Sequence, residues 1–282
     1  MCSETSEKLA GLFSVEGKIA AVTGAGGILF GSVARGLSQL GVKIAAMDVR
    51  PEEAEKTAAQ INSAGGEAIA VPIDVLDEAS VAEARDRTVE KFGRVDILIN
   101  GAGGNSPGAI TKKEGKVYFS DLSVEGIKLV FDLNMLGTII PSKVFMKQMA
   151  AQGEGVIINI SSMSADTPLS RVPAYSAAKA GVSNFTKWLA ADAAMNHSPK
   201  IRVNEIRPGF FPTLQNAELI SRTPGVLTDS RGKDILGGTP MGRYGGPEEL
   251  LGAIVYLCSP SASFTTGASI AVDGGFGSFS GV

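Results

Sequence analysis

The chain is poor in the residues that usually build metal sites and disulfides. Among 282 residues there are one histidine, His197, and two cysteines, Cys2 and Cys258, which lie far apart and form no C-x-x-C motif. A single histidine cannot supply a histidine-rich metal site, and so few cysteines are typical of a reducing compartment. The sequence therefore predicts a cytoplasmic protein without a metal centre. Cys258 lies in an apolar run and is expected to be buried.

The chain also lacks the features of nucleic-acid-binding and membrane proteins. Its formal net charge is -3 at pH 7, and its basic residues are scattered, so we expect no nucleic-acid partner. No run approaches 18 consecutive apolar residues, which argues against a membrane span. The polar, acidic first residues are unlike a signal peptide, and residues 1–13 are expected to be a loose arm.

Short apolar segments alternate with longer segments of helical pattern along nearly the whole chain. The strand-like segments are residues 18–23, 42–47, 68–71, 95–100, 155–160, 201–206 and 269–272. The helix-like segments include residues 32–40, 51–63, 80–92, 131–150 and 174–195. This alternation predicts an α/β fold with a single doubly wound, Rossmann-type parallel sheet of about seven strands and helices on both faces.

Nothing in the composition divides the chain, so we predict one domain over residues 1–282. Two segments are longer than the connections of a minimal sheet require. Residues 104–126 have the composition of a long loop, and residues 210–246 are rich in Gly, Pro and Thr, with an amphipathic piece near 217–220. Long segments of this kind often cover a site, so 210–246 is expected to be a substrate lid. A surface excursion is the alternative.

The most informative local pattern is Tyr175 followed four residues later by Lys179 within a predicted helix. This step places both side chains on one face of the helix, one turn apart. At about 5 Å and an effective dielectric constant near 20, the ammonium attracts a phenolate by roughly 3 kcal/mol. That attraction would lower the pKa of the Tyr175 phenol and allow proton exchange near neutral pH. The spacing alone, however, is common by chance.

A glycine-rich turn follows the first predicted strand, and a carboxylate ends the second. In the turn Thr23-Gly-Ala-Gly-Gly27, backbone N–H groups can approach a diphosphate at the start of the next helix. Asp48 can accept hydrogen bonds from both ribose hydroxyls of a dinucleotide and repels a 2′-phosphate. NAD is therefore favoured over NADP, although the nearby Arg50 weakens that preference.

Several motifs follow one another in a fixed order from about residue 14 to the C-terminus. They are Thr23-Gly, Asp74-Val75, Asn100-Gly-Ala-Gly103, Asn134, Ser161-Ser162, Tyr175-x-x-x-Lys179, Pro208-Gly209 and Val272-Asp-Gly-Gly275. In this order and at these intervals they resemble the short-chain dehydrogenase/reductase family. The resemblance implies an oxidoreductase that uses NAD, or alternatively NADP, and that assembles as a homotetramer.

The resemblance implies four catalytic residues. Tyr175 would be the general acid in carbonyl reduction and the base in alcohol oxidation, while Lys179 would lower its pKa and bind the nicotinamide ribose. Ser162 would hydrogen-bond the substrate oxygen; Ser161 is the alternative, but the interval to Tyr175 favours Ser162. Asn134 would hold a water molecule that links Lys179 to solvent.

The resemblance also implies where a dinucleotide would bind. The glycine turn would hold the diphosphate, the pair at 74–75 would line the adenine pocket, and the turn at 100–103 would lie against the cofactor. The segment 208–213 would hold the carboxamide through backbone groups and one hydroxyl. The implied cofactor-binding residues are Gly24, Gly26, Gly27, Ile28, Asp48, Asp74, Val75, Asn100, Ala102, Gly103, Tyr175, Lys179, Pro208, Gly209, Phe211 and Thr213.

The glycine turn departs from the family pattern. Where the family usually has T-G-x-x-x-G-x-G, this chain has Ile28 and Phe30 at the last two glycine positions, with Gly26-Gly27 and Gly31 nearby. A phenylalanine ring cannot occupy the space that the backbone needs beside a diphosphate. Either the turn is rebuilt around the other glycines or cofactor binding is weaker, and the intact downstream motifs favour the first. Gly101 also replaces a more frequent asparagine.

A finer resemblance is to the D-mannonate oxidoreductase (fructuronate reductase) branch. It is carried by residues 100–105, 161–163, 168–175, 183–189, 208–211, 239–244 and 274–282. It implies NAD-linked interconversion of a keto sugar acid and its hydroxy acid. The alternatives are a reductase of another ketone or polyol, such as a gluconate 5-dehydrogenase-like enzyme, and a dinucleotide-sensing module without turnover.

A sugar acid requires a cation for its carboxylate and hydrogen-bonding groups for its hydroxyls. Arg171 or Arg243 is expected to bind the carboxylate, and Asn105 and Gln215 are expected to contact hydroxyls. The full set of substrate-binding candidates is Asn105, Ser162, Met163, Arg171, Gln215 and Arg243.

Overall fold

A computed structural model describes residues 9–113, 115–213 and 230–280. Within these residues seven strands form one sheet, and every neighbouring pair is parallel. The strands are β1 Ile19–Thr23, β2 Lys43–Asp48, β3 Ala68–Pro72, β4 Ile97–Asn100, β5 Gly155–Ile160, β6 Ile201–Pro208 and β7 Ser269–Val272. Their order is β3-β2-β1-β4-β5-β6-β7. The predicted α/β, Rossmann-type parallel sheet is confirmed.

Helices cover both faces of this sheet. The α-helices in the described ranges are α1 Ile28–Gln39, α2 Pro51–Ser63, α3 Glu78–Phe92, α4 Val124–Phe131, α5 Gly137–Gln152, α6 Pro173–Asp192, α7 Ser230–Gly237 and α8 Leu251–Cys258. One apolar core lies between the sheet and α1, α2 and α8, and a second lies between the sheet and α3, α5 and α6. The central strands β1, β4 and β5 are largely apolar because both of their faces are buried, whereas β6 contains charged residues and the edge strand β7 is partly exposed.

The chain is helical without interruption from residue 124 to residue 152. A π-helical segment, Asp132–Leu136, joins α4 to α5, and the Ser123 side chain caps the start by accepting from the Gly126 N–H at 2.8 Å. Among the described residues this one helix has the length and apolarity of a membrane span. Half of its most apolar stretch is buried inside the protein, as in a helix that packs on a core.

Three regions differ from a simple loop or arm. Residues 104–126 contain two 3₁₀ turns and an antiparallel bridge between Lys112 and Val117 before α4 begins. Residues 9–12 are helical, and the carbonyl of Leu12 accepts from the Ser261 hydroxyl at 2.9 Å, so this part of the expected arm is attached. In the expected lid, residues 230–237 form α7, whereas the amphipathic piece near 217–220 lies outside the described residues.

The strand order places a crevice at the centre of the sheet. After β3 the chain crosses back beyond β1 to form β4, so the connections from β1 and β4 leave the sheet in opposite directions. In doubly wound folds, ligands bind at the carboxyl ends of the strands at such a switch point. The glycine turn, the turn after β4 and the residues that follow β5 and β6 meet at this edge.

Candidate active site

Helix α6 carries the two residues with the strongest catalytic pattern. It starts at Pro173, a residue whose fixed backbone angle suits the first position of a helix. Lys179 is only 4% exposed, and its Nζ lies 5.6 Å from the centre of the Tyr175 ring. The same Nζ donates a 2.7 Å hydrogen bond to the carbonyl of Ile160 at the end of β5. The structure thus brings the predicted pair together at the carboxyl edge of the sheet.

Burial governs the ionisation of both side chains. It raises the pKa of the Tyr175 phenol, and a hydrogen bond with Ser162 opposes that rise. The expected net lowering of this pKa is therefore not found, because desolvation of the phenol outweighs its favourable contacts. Burial also lowers the pKa of Lys179 to about 8, while the negative charge of Glu205 acts in the opposite sense.

The two neighbouring serines have different partners. Ser162 hydrogen-bonds with Tyr175, and its Oγ also accepts from the Ser164 N–H at 3.1 Å. Ser161 instead donates to the backbone carbonyl of Lys179 at 2.9 Å. Ser162 therefore faces the phenol, whereas Ser161 fastens the end of β5 to α6.

Asn134 lies in the π-helical segment and is fully buried. Its amide nitrogen donates to the carbonyls of Gly104 and Val130 at 2.7 and 2.8 Å, and its oxygen accepts from the Gly104 N–H at 3.3 Å. A Cβ added at Gly103 would lie 2.9 Å from that oxygen and 3.4 Å from Lys179 Nζ. Asn134 and Lys179 therefore converge on Gly103. The water molecule expected at Asn134 stays a prediction.

The glycine turn has the shape that a diphosphate requires. The Gly26 N–H donates to Asp48 Oδ2 at 3.0 Å, and a Cβ at Gly26 would lie 2.7 Å from the same oxygen. Helix α1 follows at once, and its N-cap residue, Gly27, has no side chain to cap the first N–H groups. Free N–H groups at the positive end of a helix suit an anion, so the residues present fit a dinucleotide phosphate.

Phe30 and Gly101 are packed against each other. The Phe30 ring is 7% exposed and belongs to the core beneath α1, so it does not enter the crevice. A Cβ at Gly101 would lie 2.4 Å from Cγ of that ring. The two departures from the family pattern, Phe30 and Gly101, therefore depend on each other, because the absence of a side chain at position 101 leaves space for the Phe30 ring. The Phe30 ring thus leaves the crevice open, and a turn rebuilt around Gly26-Gly27 and Gly31 stays a prediction.

Asp48 ends β2, as the sequence predicts, and is 5% exposed. Its Oδ1 accepts from the N–H and the Nε of Arg50 at 3.0 and 3.2 Å. Asp74 is exposed and its Oδ1 accepts from the Leu76 N–H at 2.9 Å, while Val75 is buried against the start of α5. Asp48 thus ends β2, and Asp74 and Val75 follow β3, at the crevice edge of the sheet.

The Thr23 side chain hydrogen-bonds the turn after β4. The sequence-based prediction named Thr23 only as part of a motif. Its Oγ1 accepts from the N–H groups of Gly101 and Ala102, both at 3.1 Å. A Cβ at Gly24, whose φ is +70°, would lie 3.0 Å from the backbone of the same turn. The two loops are thus in close contact, which requires glycine at position 24.

The side chain of Asn100 points into the core and not into the crevice. Its amide nitrogen donates to Ser142 Oγ at 2.9 Å and to Asn159 Oδ1 at 2.8 Å, and Asn159 in turn donates to Thr186. This network joins β4 and β5 to α5 and α6. Only the main chain of Asn100 is placed to meet a cofactor.

The far side of the crevice follows β6 and is closely packed. The Gly209 N–H donates to the Val272 carbonyl at 3.0 Å, and a Cβ at Gly209 would lie 2.6 Å from Cα of Asp273. The Phe211 ring is buried beneath Gly245. The backbone of Pro208 to Phe211 therefore runs along a rigid wall, and the partly buried Thr213 follows it.

Three of the predicted substrate-binding residues differ in their surroundings. Asn105 Oδ1 is buried and has no hydrogen-bond partner among the described residues, and Met163 is buried in the turn after Ser162. Arg171 has a left-handed backbone, with φ of 73°, and its carbonyl accepts from the Thr111 N–H at 2.9 Å. Gln215 lies outside the described residues.

Arg243 is already paired with a carboxylate. Its two terminal nitrogens donate to Glu249 at 2.6 and 2.7 Å, and these bonds lower the pKa of Glu249 to about 2. The pair lines a cavity of about 360 Å³ together with Asp273 and Phe211. With both acids nearby, this cavity is a poor place for a substrate carboxylate.

Two charged residues of β6, the buried Glu205 and the partly buried Arg207, were missed by the sequence-based predictions. Glu205 lies within β6, and Arg207 near its end donates to it at 2.7 Å. The signal was available, because charged residues interrupt an otherwise apolar strand, and a charge in a buried strand normally needs a partner.

Comparison with known proteins agrees with this geometry. A family model described as "Enoyl-(Acyl carrier protein) reductase" matches residues 26–277. The chain is 44% identical to the uncharacterized oxidoreductase UxuB of Bacillus subtilis (strain 168), over 95% of this chain and 98% of that one.

Two solved structures superimpose over nearly the whole chain. One is a Haemophilus influenza protein, provisionally named a D-mannonate oxidoreductase, with bound NAD; it is 44% identical, with a TM-score of 0.88, and 97% of this chain and 100% of that chain are covered. The other is a gluconate 5-dehydrogenase of Burkholderia cenocepacia J2315 in complex with NADP and tartrate, 29% identical, with a TM-score of 0.84 and 96% and 99% covered. The chain belongs to the short-chain dehydrogenase/reductase family and is an oxidoreductase that acts on CH–OH groups.

Proposed function

We propose that this protein is an NAD(H)-dependent oxidoreductase that interconverts a keto sugar acid and its hydroxy acid, D-fructuronate and D-mannonate being the leading pair. The observation that carries the chemistry is the contact of Tyr175 with Ser162 beside the Lys179 ammonium. The similarity to the NAD-bound Haemophilus influenza protein supports both the substrate class and the cofactor.

The bound dinucleotide would supply or accept the hydride. In reduction, Tyr175 donates its phenolic proton to the substrate oxygen, and in oxidation it removes the proton of the alcohol. Ser162 Oγ hydrogen-bonds the same oxygen and holds it within reach of the phenol. Because burial raises the pKa of Tyr175, the phenol is protonated and ready to act as an acid before reduction. Lys179, from the next turn of α6, stabilises the phenolate that forms.

Asp48 supports NAD as the cofactor. Its buried carboxylate lies at the end of β2, beside the glycine turn, where a 2′-phosphate would be repelled. Arg50 contacts the same carboxylate and could instead accompany a phosphate, so NADP is the second cofactor to test.

The most direct test measures NADH oxidation with D-fructuronate, tagaturonate, 5-ketogluconate and a neutral ketone. We expect turnover with D-fructuronate, and we expect Tyr175→Phe to abolish it while NADH still binds. Turnover of 5-ketogluconate alone would favour a gluconate 5-dehydrogenase-like activity. Turnover of the neutral ketone alone would contradict the sugar-acid proposal, and NADH binding without any turnover would indicate a sensing module.

Arg171 is the favoured ligand of the substrate carboxylate. We expect Arg171→Met to raise KM for the sugar acid about tenfold or more, with a much smaller effect on a neutral ketone, because a charge-assisted contact is lost. Arg243→Met is the matched control, since Arg243 is neutralised by Glu249 and should leave KM nearly unchanged. If neither variant changed KM, the carboxylate would bind elsewhere.

We also propose a cytoplasmic homotetramer, as the family resemblance implies. Large apolar side chains are exposed on two neighbouring helical segments, among them Leu136, Trp188 and Met195. Clusters of such residues commonly mark surfaces between subunits.

A further inference from the structure

Glu205 places a carboxylate at a buried position of β6 where an apolar side chain is expected. It pairs in register with Asn159 of β5, whose side chain donates to Thr186 of α6. Paired residues of parallel neighbours point to the same face of a sheet, so Glu205 also faces α6. The carboxylate is 1% exposed and lies on the side of the sheet that carries Lys179.

The two oxygens of this carboxylate differ in their surroundings. Oε1 accepts from Arg207 Nε at 2.7 Å, whereas Oε2 is buried and has no hydrogen-bond partner among the described residues. A buried carboxylate oxygen without a donor is costly unless a positive charge compensates it. Arg207 also pairs with Asp166, which follows the turn that begins at Ser162. The ion pairs of Arg207 with Glu205 and Asp166 thus extend from the interior beside α6 to the turn that follows Ser162.

Besides Arg207, the buried cation on this side of the sheet is Lys179. Its Nζ donates to the carbonyl of Ile160, and Ile160 pairs with Ile206, the residue next to Glu205. The ammonium and the carboxylate therefore lie by the same ends of β5 and β6, within an interior where charges interact strongly.

We propose that Glu205 is a positioning residue of this enzyme: its buried carboxylate is the counter-charge that keeps the Lys179 side chain an ammonium ion. Burial already pulls the pKa of Lys179 down to about 8, and the charge of Glu205 is what opposes that fall. Without it, more of the lysine would be neutral at physiological pH. A neutral lysine stabilises the phenolate of Tyr175 and a negatively charged dinucleotide less than an ammonium does, because the charge-assisted part of each contact is lost.

Few other charges could replace this one. The same helix also carries Tyr175, Lys187 and Asp192; β6 carries Arg207 and, at its far end, Arg202, while β5 has no charged residue. The charged groups on the other described elements packed against α6 are Asp166, Asp132, Glu125, Lys128 and His197.

The test uses NADH binding and needs no substrate, so it does not depend on which sugar acid the proposed function names. The dissociation constant for NADH is measured by fluorescence across the pH range around 8. We expect binding to weaken as Lys179 loses its proton. In Glu205→Gln, which keeps the shape and removes the charge, this loss should move to lower pH by about one unit.

Two matched variants keep the charge at position 205. Glu205→Asp should leave the pH of the binding loss unchanged, and Arg207→Gln, which removes a cation from the carboxylate, should move it upward, even where thermal stability falls. If Glu205→Gln is less stable but binds NADH with the pH dependence of the wild type, Glu205 is only structural and the proposal is overturned.

The outcome remains decisive if Glu205→Gln does not fold. An upward move in Arg207→Gln would then support the proposal, and no move or a downward move in that variant would contradict it. The expected pH shift in a protein that reduces no sugar acid would leave this inference standing and refute the proposed substrate. Normal turnover of the sugar acid without the pH shift in NADH binding would refute this inference and leave the proposed substrate standing.

Discussion

At the scale of single residues, the catalytic lysine is costly to the folded state. Its pKa falls from 10.5 to about 8 on burial, so the unfolded chain binds the extra proton more tightly between these values. Stability therefore rises with pH from about 8 to 10.5, and the full cost, roughly 3 kcal/mol, is present below pH 8. The catalytic role that we propose for Lys179 therefore comes at the expense of stability.

The same pKa predicts the pH dependence of catalysis. Reduction requires a protonated Lys179 beside Tyr175, so kcat/KM for the keto acid should fall as pH rises through about 8. Steady-state rates at low substrate, corrected for any loss of folded protein, measure this directly. A constant kcat/KM through this range would show that the ammonium is not required.

Tyr175 illustrates why a local sequence pattern does not suffice to predict the direction of a pKa shift. The spacing placed the phenol and the ammonium correctly, one helical turn apart. The direction of the shift depended on how completely the site is buried and on whether Lys179 points at the phenol. Its Nζ instead donates to the carbonyl of Ile160, a contact between distant parts of the chain.

At the scale of elements, the π-helical segment explains a misplaced helix start. The sequence predicted a helix from residue 131, whereas the chain is helical from 124. A π segment inserts an extra residue into a turn, so the apolar pattern on the two sides of 132–136 is out of phase. The segment also turns Asn134 toward Gly103, where it meets the site.

The packing of α1 on the turn after β4 predicts energetic coupling. Gly101→Ala would place a Cβ 2.4 Å from the Phe30 ring and 2.6 Å from the Thr23 carbonyl, so it should destabilise the protein by about 1–3 kcal/mol. In a Phe30→Ala background the same change should cost less, because the ring contact is gone. Thermal unfolding of the four proteins measures this coupling.

Gly252→Ala is the matched control for that cycle. Gly252 lies in α8, and a Cβ there would meet no atom within 4 Å, so the substitution should be neutral or stabilising. Strictly additive effects of the changes at 30 and 101 would contradict the packing argument.

At the scale of the whole molecule, the proposed homotetramer predicts the mass of the protein in solution. We expect light scattering to give about four times the 29.1 kDa mass of one chain. Trp188 is 61% exposed on α6, and Trp188→Glu should lower the observed mass because a charge would be buried between subunits. Leu40→Glu, on the end of α1, is the control and should not change it. A monomeric wild type would refute the assembly.

The sequence by itself determined the sheet, the order of the motifs and the identity of the central pair. Apolar runs must be buried on both faces, and turn residues leave little choice of connection, so strand positions and the Tyr175–Lys179 spacing follow from local rules. How Gly101 makes room for Phe30, and that Glu205 lies on the side of the sheet that carries Lys179, depended on the packed structure. Those relations join residues far apart in the chain, and burial, which sets their energies, exists only once the layers pack.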